Sequence, residues 1–380
     1  MRIAVHMLGV RIGGGRTYLR QLLRYLAATR QPHEFLILAA PGFEEDWASM
    51  VGSEKHAVRF ITRSVPPSSR IVFDQIELPG LLRQERCDIL WCPNNYACLR
   101  SPVPQLLMAF NPVFFSRRYG GLMHRYGSVA ERMDYLFRRV HARRSVRCAD
   151  VTLFPTAAFM DHVLNDLGAG AVRQPRALHP GLDTSVFDDA DASHAPNGRA
   201  ADGVVRLLYP TSWAPHKNFD LLFDAMEVLH HEGFPFELWL TLPSDEGPYR
   251  GPYGRWAESD FSHVRLVGPM IRRVGYLSPS EMAGRYAAAD VIVFPSWLET
   301  FGYPLVEAQV SGRPLVASDT PTNREVAGDY ARYHPPFEAR ALAAAIVEAT
   351  RRPEYRPRPA TVTPWSRHFA ELSRLMETMA

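Results

Sequence analysis

Short apolar runs alternate with amphipathic helical stretches along this chain, and the alternation runs through twice. In the first half, Ile3–Leu8, Phe35–Ala40, Asp88–Cys92, Gln105–Phe110 and Val151–Phe154 read as buried strands, with helical stretches near 15–28, 74–85, 122–147 and 156–167. The pattern restarts at Arg206–Tyr209 and continues through Glu237–Leu242, Val264–Val267, Val291–Phe294 and Leu315–Ala317, with helices near 218–231, 279–288, 303–311 and 338–350. A strand apolar along its whole length is buried on both faces, as in a parallel sheet covered by helices. Alternation of this kind predicts an α/β fold, and its restart predicts two such domains. The 380 residues allow each to bury its own core.

The stretch Asp188–Gly203 is rich in Asp, Ala, Gly and Ser and has no apolar period. Domains are therefore expected at 1–187 and 204–362, joined by a linker or surface loop at 188–203. Its acidic pair, Asp189 and Asp191, is not read as a metal site, because a flexible loop does not hold carboxylates in place. Pro243–Ser262 reads as a second long loop. After a Pro-rich segment, residues 363–380 read as a final helix, Trp365–Met379, that crosses back to the first domain. The apolar N-terminal stretch ends at Arg11 and is too short for a signal peptide or a membrane span, and no later run is long enough to span a bilayer. Four scattered cysteines, Cys87, Cys92, Cys98 and Cys148, fit no paired zinc spacing and suit a reducing compartment. A cytoplasmic protein is expected.

Three segments could carry chemistry. Gly13-Gly14-Gly15 follows the first strand and precedes a helix, so the backbone can approach an anion closely; a plain strand–helix turn fits as well. The Gly-x-Gly-x-x-Gly spacing and its distal acid are missing, which argues against a nicotinamide dehydrogenase. Pro215-His216-Lys217-Asn218 lies between a strand and a helix, where a lysine can meet phosphate as a point charge or sit solvated. Phe294 to Glu307 is the most specific. Glu299 falls in the loop at a strand's carboxyl end, where open parallel sheets bind ligands. Pro304 suits the first turn of the helix that follows, Thr300, Phe301, Gly302 and Tyr303 offer N–H groups there, and Glu307 lies one turn inside. The helix dipole alone explains an acid at 307 but not Glu299.

The Glu-x7-Glu segment, with Ala308 and Ser311-Gly312-Arg313-Pro314-Leu315-Val316-Ala317-Ser318 after it and the Pro-His-Lys-Asn turn before it, resembles family-4 glycosyltransferases. His179-Pro180-Gly181-Leu182-Asp183 with Phe187 resembles that family's Gly-x-Asp hinge segment, and Glu325-Val326-Ala327-Gly328 also fits. The likeness is specific in the second half and weaker in the first. It implies a GT-B fold, two Rossmann-like domains facing a central cleft, and retaining transfer of a hexose from a nucleotide-diphosphate sugar to a glycan or lipid-linked acceptor in cell-surface polysaccharide synthesis. By the same likeness Glu299 and Lys217 are catalytic, with Lys217 on the diphosphate and Glu299 on the sugar hydroxyls. Gly13, Gly14, Gly15, Ser212, His216, Thr300, Phe301, Gly302, Tyr303 and Glu307 join Lys217 in the donor site, Glu307 on the ribose. Asn111, Arg117 and Arg118 fall on the acceptor side. Neither metal nor cofactor is implied. The Gly-Tyr-Pro and Pro-His-Lys-Asn turns are similar to those of mannosyltransferases that use GDP-mannose.

Two positions depart from the family pattern. Ser212 stands where the family usually has a phosphate-binding arginine, and Phe110 where it often has a histidine near the reacting sugar. Those losses support an alternative, a catalytically inactive GT-B partner of a glycan assembly system; Glu299, Glu307, Lys217 and the glycines argue against it.

Charge is concentrated in one place. Between Ser116 and Arg147 nine arginines stand against Glu131 and Asp134, a net charge of +7 in a chain whose total is +3. Val129, Met133, Leu136 and Val140 recur at helical spacing and form one apolar face. Either that face packs into the core and the arginines are solvated, or 116–147 meets an anionic membrane surface or lipid-diphosphate acceptor. The family likeness favours the second, since many such transferases act on lipid-linked acceptors, and the expected location is then peripheral, at the inner face of the plasma membrane. No nucleic-acid motif is present.

Overall fold

The computed structural model describes residues 1–8, 14–51, 58–65, 70–168, 170–188, 203–242, 264–351 and 363–380. The chain divides into two compact units: Met1–Ser116 with Tyr135–Asp183 and Thr363–Ala380, and Arg117–Asp134 with Thr184–Val362. The segment Arg117–Asp134 thus groups with the second unit rather than with its sequence neighbours.

In the first unit β1 (Arg2–His6), β2 (Glu34–Ala39), β3 (Val58–Thr62), β4 (Ile89–Cys92), β5 (Gln105–Met108), β6 (Val151–Phe154) and β7 (Pro175–Ala177) form a seven-stranded sheet, order β3-β2-β1-β4-β5-β6-β7. In the second, β8 (Val205–Tyr209), β9 (Phe236–Leu240), β10 (Ile271–Arg273), β11 (Val291–Phe294), β12 (Leu315–Ser318) and β13 (Arg332–His334) form a six-stranded sheet, order β10-β9-β8-β11-β12-β13. All pairings are parallel. Each sheet winds outward from its first strand, then restarts on that strand's other side. The winding direction therefore reverses between β1 and β4 and between β8 and β11, and at such a switch point the loops part and leave room for a ligand.

The C-terminal helix Trp365–Met379 belongs to the first unit, as its sequence suggested. Trp365, Phe369, Leu372 and Met376 repeat at helical spacing and are buried in one core with Ile3, Val5, Leu22 and Phe35. Each contributes roughly 1.5–3 kcal/mol of burial. Gly181 permits the close approach: a Cβ there would lie 2.9 Å from the Trp365 Cα.

His368 fixes the same helix through polar contacts. Its Nδ1 donates to the His179 carbonyl at 2.9 Å, so Nε2 accepts from the Tyr18 hydroxyl at 2.8 Å. Burial pushes this imidazole from an ordinary 6.5 down to about 4. The folded protein holds it neutral while the unfolded chain takes up a proton. Its contribution is therefore present above about pH 6.5 and is lost as pH falls towards 4. The unfolding midpoint is expected to drop between pH 7 and pH 4, with on the order of 3 kcal/mol from this group, and His368→Gln should flatten that dependence. A variant with the wild-type pH profile would show that other groups carry it.

Three expectations need correction. Val264–Val267 is a short helical turn, not a strand. Gly268 and Pro269 follow at once, proline cannot donate to a ladder, and the edge position beside β9 is taken by Ile271–Arg273. The helix expected over 122–147 is two helices, Arg117–Tyr126 and Val129–Cys148. Between them Ser128 N donates to the Glu131 carboxylate at 2.7 Å and Glu131 N to the Ser128 hydroxyl at 3.3 Å, a capping box. In the longer helix the buried side is Tyr135, His141, Ala142, Ser145 and Val146. Val129, Met133, Leu136, Phe137 and Val140 are 42–76% exposed, so that apolar row does not pack into the core. The linker at 188–203, apart from its end residues, and the loop at 243–262 lie outside the described residues.

Candidate active site

The second unit builds its site from the loops that leave β8 and β11, the strands on either side of its switch point. After β8 the chain makes a 3-10 turn, Pro215–Lys217, and Asn218 then takes a left-handed conformation, φ 62°, before the helix Phe219–His231. The Asn218 amide donates to the carbonyls of Pro295 (3.1 Å) and Pro336 (2.7 Å), tying this turn to the loops after β11 and β13. The Trp297 backbone N–H donates to the His216 carbonyl at 3.1 Å, and its indole N–H to the Pro215 carbonyl at 3.3 Å. Buried Tyr209 donates to the Lys217 carbonyl at 2.9 Å.

This framework sets the Lys217 ammonium 2.5 Å from the Glu299 carboxylate, the two side chains only 16% and 12% exposed. The ion pair spans the switch point. Beyond it Thr300 and Phe301 are buried, and Gly302 has φ 80°, where a Cβ would meet the Leu305 and Phe294 side chains at 3.1 Å. The helix Tyr303–Val310 begins there.

Glu307, one turn inside this helix, accepts a hydrogen bond from the Tyr286 hydroxyl at 2.6 Å. Burial raises its carboxyl above the ordinary range, and the tyrosine offsets part of that. The buried Tyr303 hydroxyl has no hydrogen-bond partner among the described residues. Burial, with the adjacent Lys217 charge, pushes the His216 imidazole well down, so it is neutral. Ser212 is exposed in the loop between β8 and the Pro215–Lys217 turn.

The remaining residues expected at the site belong to other elements. Gly13 lies outside the described residues, while Gly14 and Gly15 open the helix Gly14–Ala28 of the first unit. Asn111, also in the first unit, accepts from the Val113 N–H at 3.2 Å and caps the turn Pro112–Phe115. Arg117 and Arg118 belong to the second unit, and the Arg118 guanidinium lies over the rings of Phe337 and Trp297.

Sequence reasoning missed Tyr286, the Asn218 clasp, and a polar cluster at the first unit's own switch point. There His6 Nε2 meets the Asp74 carboxylate at 2.6 Å, with Arg70 3.3 Å from its second oxygen. Burial works to raise the Asp74 carboxyl, but His6 and Arg70 outweigh it and leave it below its ordinary value. Partners like these come together through the fold and leave no local spacing signal.

Residues 205–352 match the family described as Glycosyl transferases group 1. The chain is 31% identical over 145 residues to O-antigen chain mannosyltransferase B of Escherichia coli, covering 37% of this chain and 36% of that protein. It is 30% identical over 186 residues to a D-inositol 3-phosphate glycosyltransferase of Nocardioides, covering 46% and 39%. The chain thus spans under two fifths of the length of these relatives. Among solved structures, sucrose-phosphate synthase from Thermosynechococcus elongatus aligns with a TM-score of 0.70 at 17% identity, over 100% of this chain and 98% of that one. Anabaena HepE in complex with UDP-glucose aligns at 0.69 and 14%, over 100% of both. These structures share the fold of two Rossmann-like domains.

Proposed function

We propose that this chain, which matches the group 1 glycosyl transferases over residues 205–352, moves a hexose from a nucleotide-diphosphate sugar to a glycan or lipid-linked acceptor with retention of anomeric configuration. The observation that carries the reading is the Lys217–Glu299 pair at the switch point of the second sheet. In the transfer, the bond from the sugar's C1 to the diphosphate oxygen breaks and a bond from the acceptor oxygen to C1 forms on the same face. The acceptor's proton passes to the leaving phosphate. Negative charge grows on that phosphate, and a fixed ammonium in a shielded position stabilises it more than water does. Lys217 supplies the ammonium, Glu299 accepts from sugar hydroxyls, and Glu307, oriented by Tyr286, takes the ribose.

The E. coli mannosyltransferase and the likeness of the 215–218 and 302–304 turns support GDP-mannose as donor and cell-surface polysaccharide as destination. Among the described residues no helix is long and apolar enough to cross a membrane. The exposed row Val129, Met133, Leu136, Phe137 and Val140, continued by exposed Arg144 and Arg147, supports peripheral attachment to an anionic membrane on its cytoplasmic side.

Thermal unfolding with UDP, GDP, ADP and dTDP tests the donor reading. A nucleotide at 100 times its Kd should stabilise the fold by about 2.7 kcal/mol, with GDP giving the largest shift. No shift with any of the four would overturn it.

A further inference from the structure

We propose that Arg118 binds phosphate in the donor site of the second unit, as a partner to Lys217. The proposal rests on the nucleotide-sugar reading above and moves Arg118 from the acceptor side, where sequence resemblance put it, to the donor side.

The first argument is position. Arg118 opens the helix Arg117–Tyr126, which groups with the second unit although it lies in the first half of the sequence. Its neighbour Tyr119 is buried, with its ring 6.1 Å from that of His216, so the helix start is anchored beside the turn that carries Lys217. The Arg118 guanidinium lies 3.8 Å from the Phe337 ring centroid and 5.4 Å from that of Trp297. Both residues are tied to the Lys217 turn: Trp297 donates to the carbonyls of Pro215 and His216, and Phe337 follows Pro336, whose carbonyl takes the Asn218 amide.

The second argument is chemistry. Aromatic contacts use the faces of a guanidinium and leave the in-plane N–H fork for a planar or tetrahedral anion. Among the described residues Arg118 forms no ion pair or hydrogen bond, so that fork is uncommitted. The Lys217 turn itself brings no surplus positive charge. Lys217 is paired with Glu299, and His216 is held neutral. A diphosphate brings at least two negative charges, more than Lys217, itself paired with Glu299, can answer, and exposed Ser212 contributes no cation. A bidentate arginine is the side chain best suited to make up the difference.

The test is calorimetric titration of the full chain and its Arg118→Ala and Arg118→Lys variants with GDP, UDP, guanosine, uridine and glycerol 3-phosphate. Loss of charged hydrogen bonds should weaken nucleoside diphosphate binding roughly 10- to 100-fold in Arg118→Ala. Binding of the matching nucleoside should not change, and Arg118→Lys should recover part of the loss. A packing role would move the nucleoside and the diphosphate together, and that result overturns the proposal. So does unchanged diphosphate affinity in Arg118→Ala. If only glycerol 3-phosphate binding falls, the phosphate belongs to the acceptor and the donor assignment is overturned. If the wild-type chain binds none of the nucleoside diphosphates, the donor reading fails and the role of Arg118 falls with it.

Discussion

Replacing Lys217 by alanine is expected to lower kcat for sugar transfer by about 100-fold or more, and Glu299→Ala by a similar factor. Each side chain sits in a shielded position at the switch point, and each holds the other in place. Removal of one preorganised group that meets developing charge typically costs roughly 100- to 1000-fold in rate. Truncation also leaves its partner as an unmatched, largely buried charge, which is worse than losing both. The double variant should therefore lose little more activity than the poorer single variant, as expected of residues that act as a unit. Glu299→Gln separates charge from shape: it keeps a hydrogen-bonding group of the same size but cannot pair with the ammonium, and it should fall between wild type and Glu299→Ala. Folding should persist in all of these, because the core of the second unit is built from other residues, among them Leu207, Leu222, Ile292 and Val316. Unchanged circular dichroism with kcat near wild type in either alanine variant would remove the pair from the active site.

What the sequence could disclose depended on burial. The strands legible as apolar runs are those fully buried in the sheets, such as β4, β5, β6, β11 and β12. The strands it did not disclose, β3, β7, β10 and β13, end their sheets, and most of their side chains are partly exposed, so no continuous apolar run marks them. The Glu299-to-Glu307 segment was legible because loop, glycine and helix start are contiguous in the chain. The ring contacts of Arg118, named from sequence only on the acceptor side, were not, because those rings are 179 and 219 residues away, and helical spacing says nothing about a partner at that distance. The apolar row from Val129 to Val140 shows a third limit. Spacing defined the face correctly but not its direction. The opposite side, which is buried, is built around His141, Ala142 and Ser145 and looks less apolar than the exposed side.

That inverted helix leads to the second large effect expected, on membrane attachment. Val129, Met133, Leu136, Phe137 and Val140 stand 42–76% exposed along one side of the helix Val129–Cys148. Arg144 and Arg147 continue the same side at spacings of four and three residues. A solvent-facing stripe of that kind is costly in water and suits the boundary between headgroups and acyl chains. Each apolar side chain taken out of water there contributes roughly 1.5–3 kcal/mol, and each arginine near an anionic surface about 1 kcal/mol. In flotation, the wild-type chain should rise with phosphatidylglycerol vesicles at low salt and bind phosphatidylcholine vesicles far less. Met133→Asp with Phe137→Asp should abolish flotation, because both apolar contacts are lost and two charges oppose the lipid. Arg144→Gln with Arg147→Gln should leave weaker binding that responds less to salt. Arg143 and Arg139 are unsuitable for this test, since one pairs with Asp166 and the other holds the Phe114 carbonyl, and their removal would disturb the fold as well. The four chosen positions are exposed, where substitutions usually change stability by only about 0.5 kcal/mol, so lost flotation would report on the surface rather than on unfolding. A wild-type chain that ignores phosphatidylglycerol at low salt would end the membrane reading and turn the search for an acceptor towards soluble glycans.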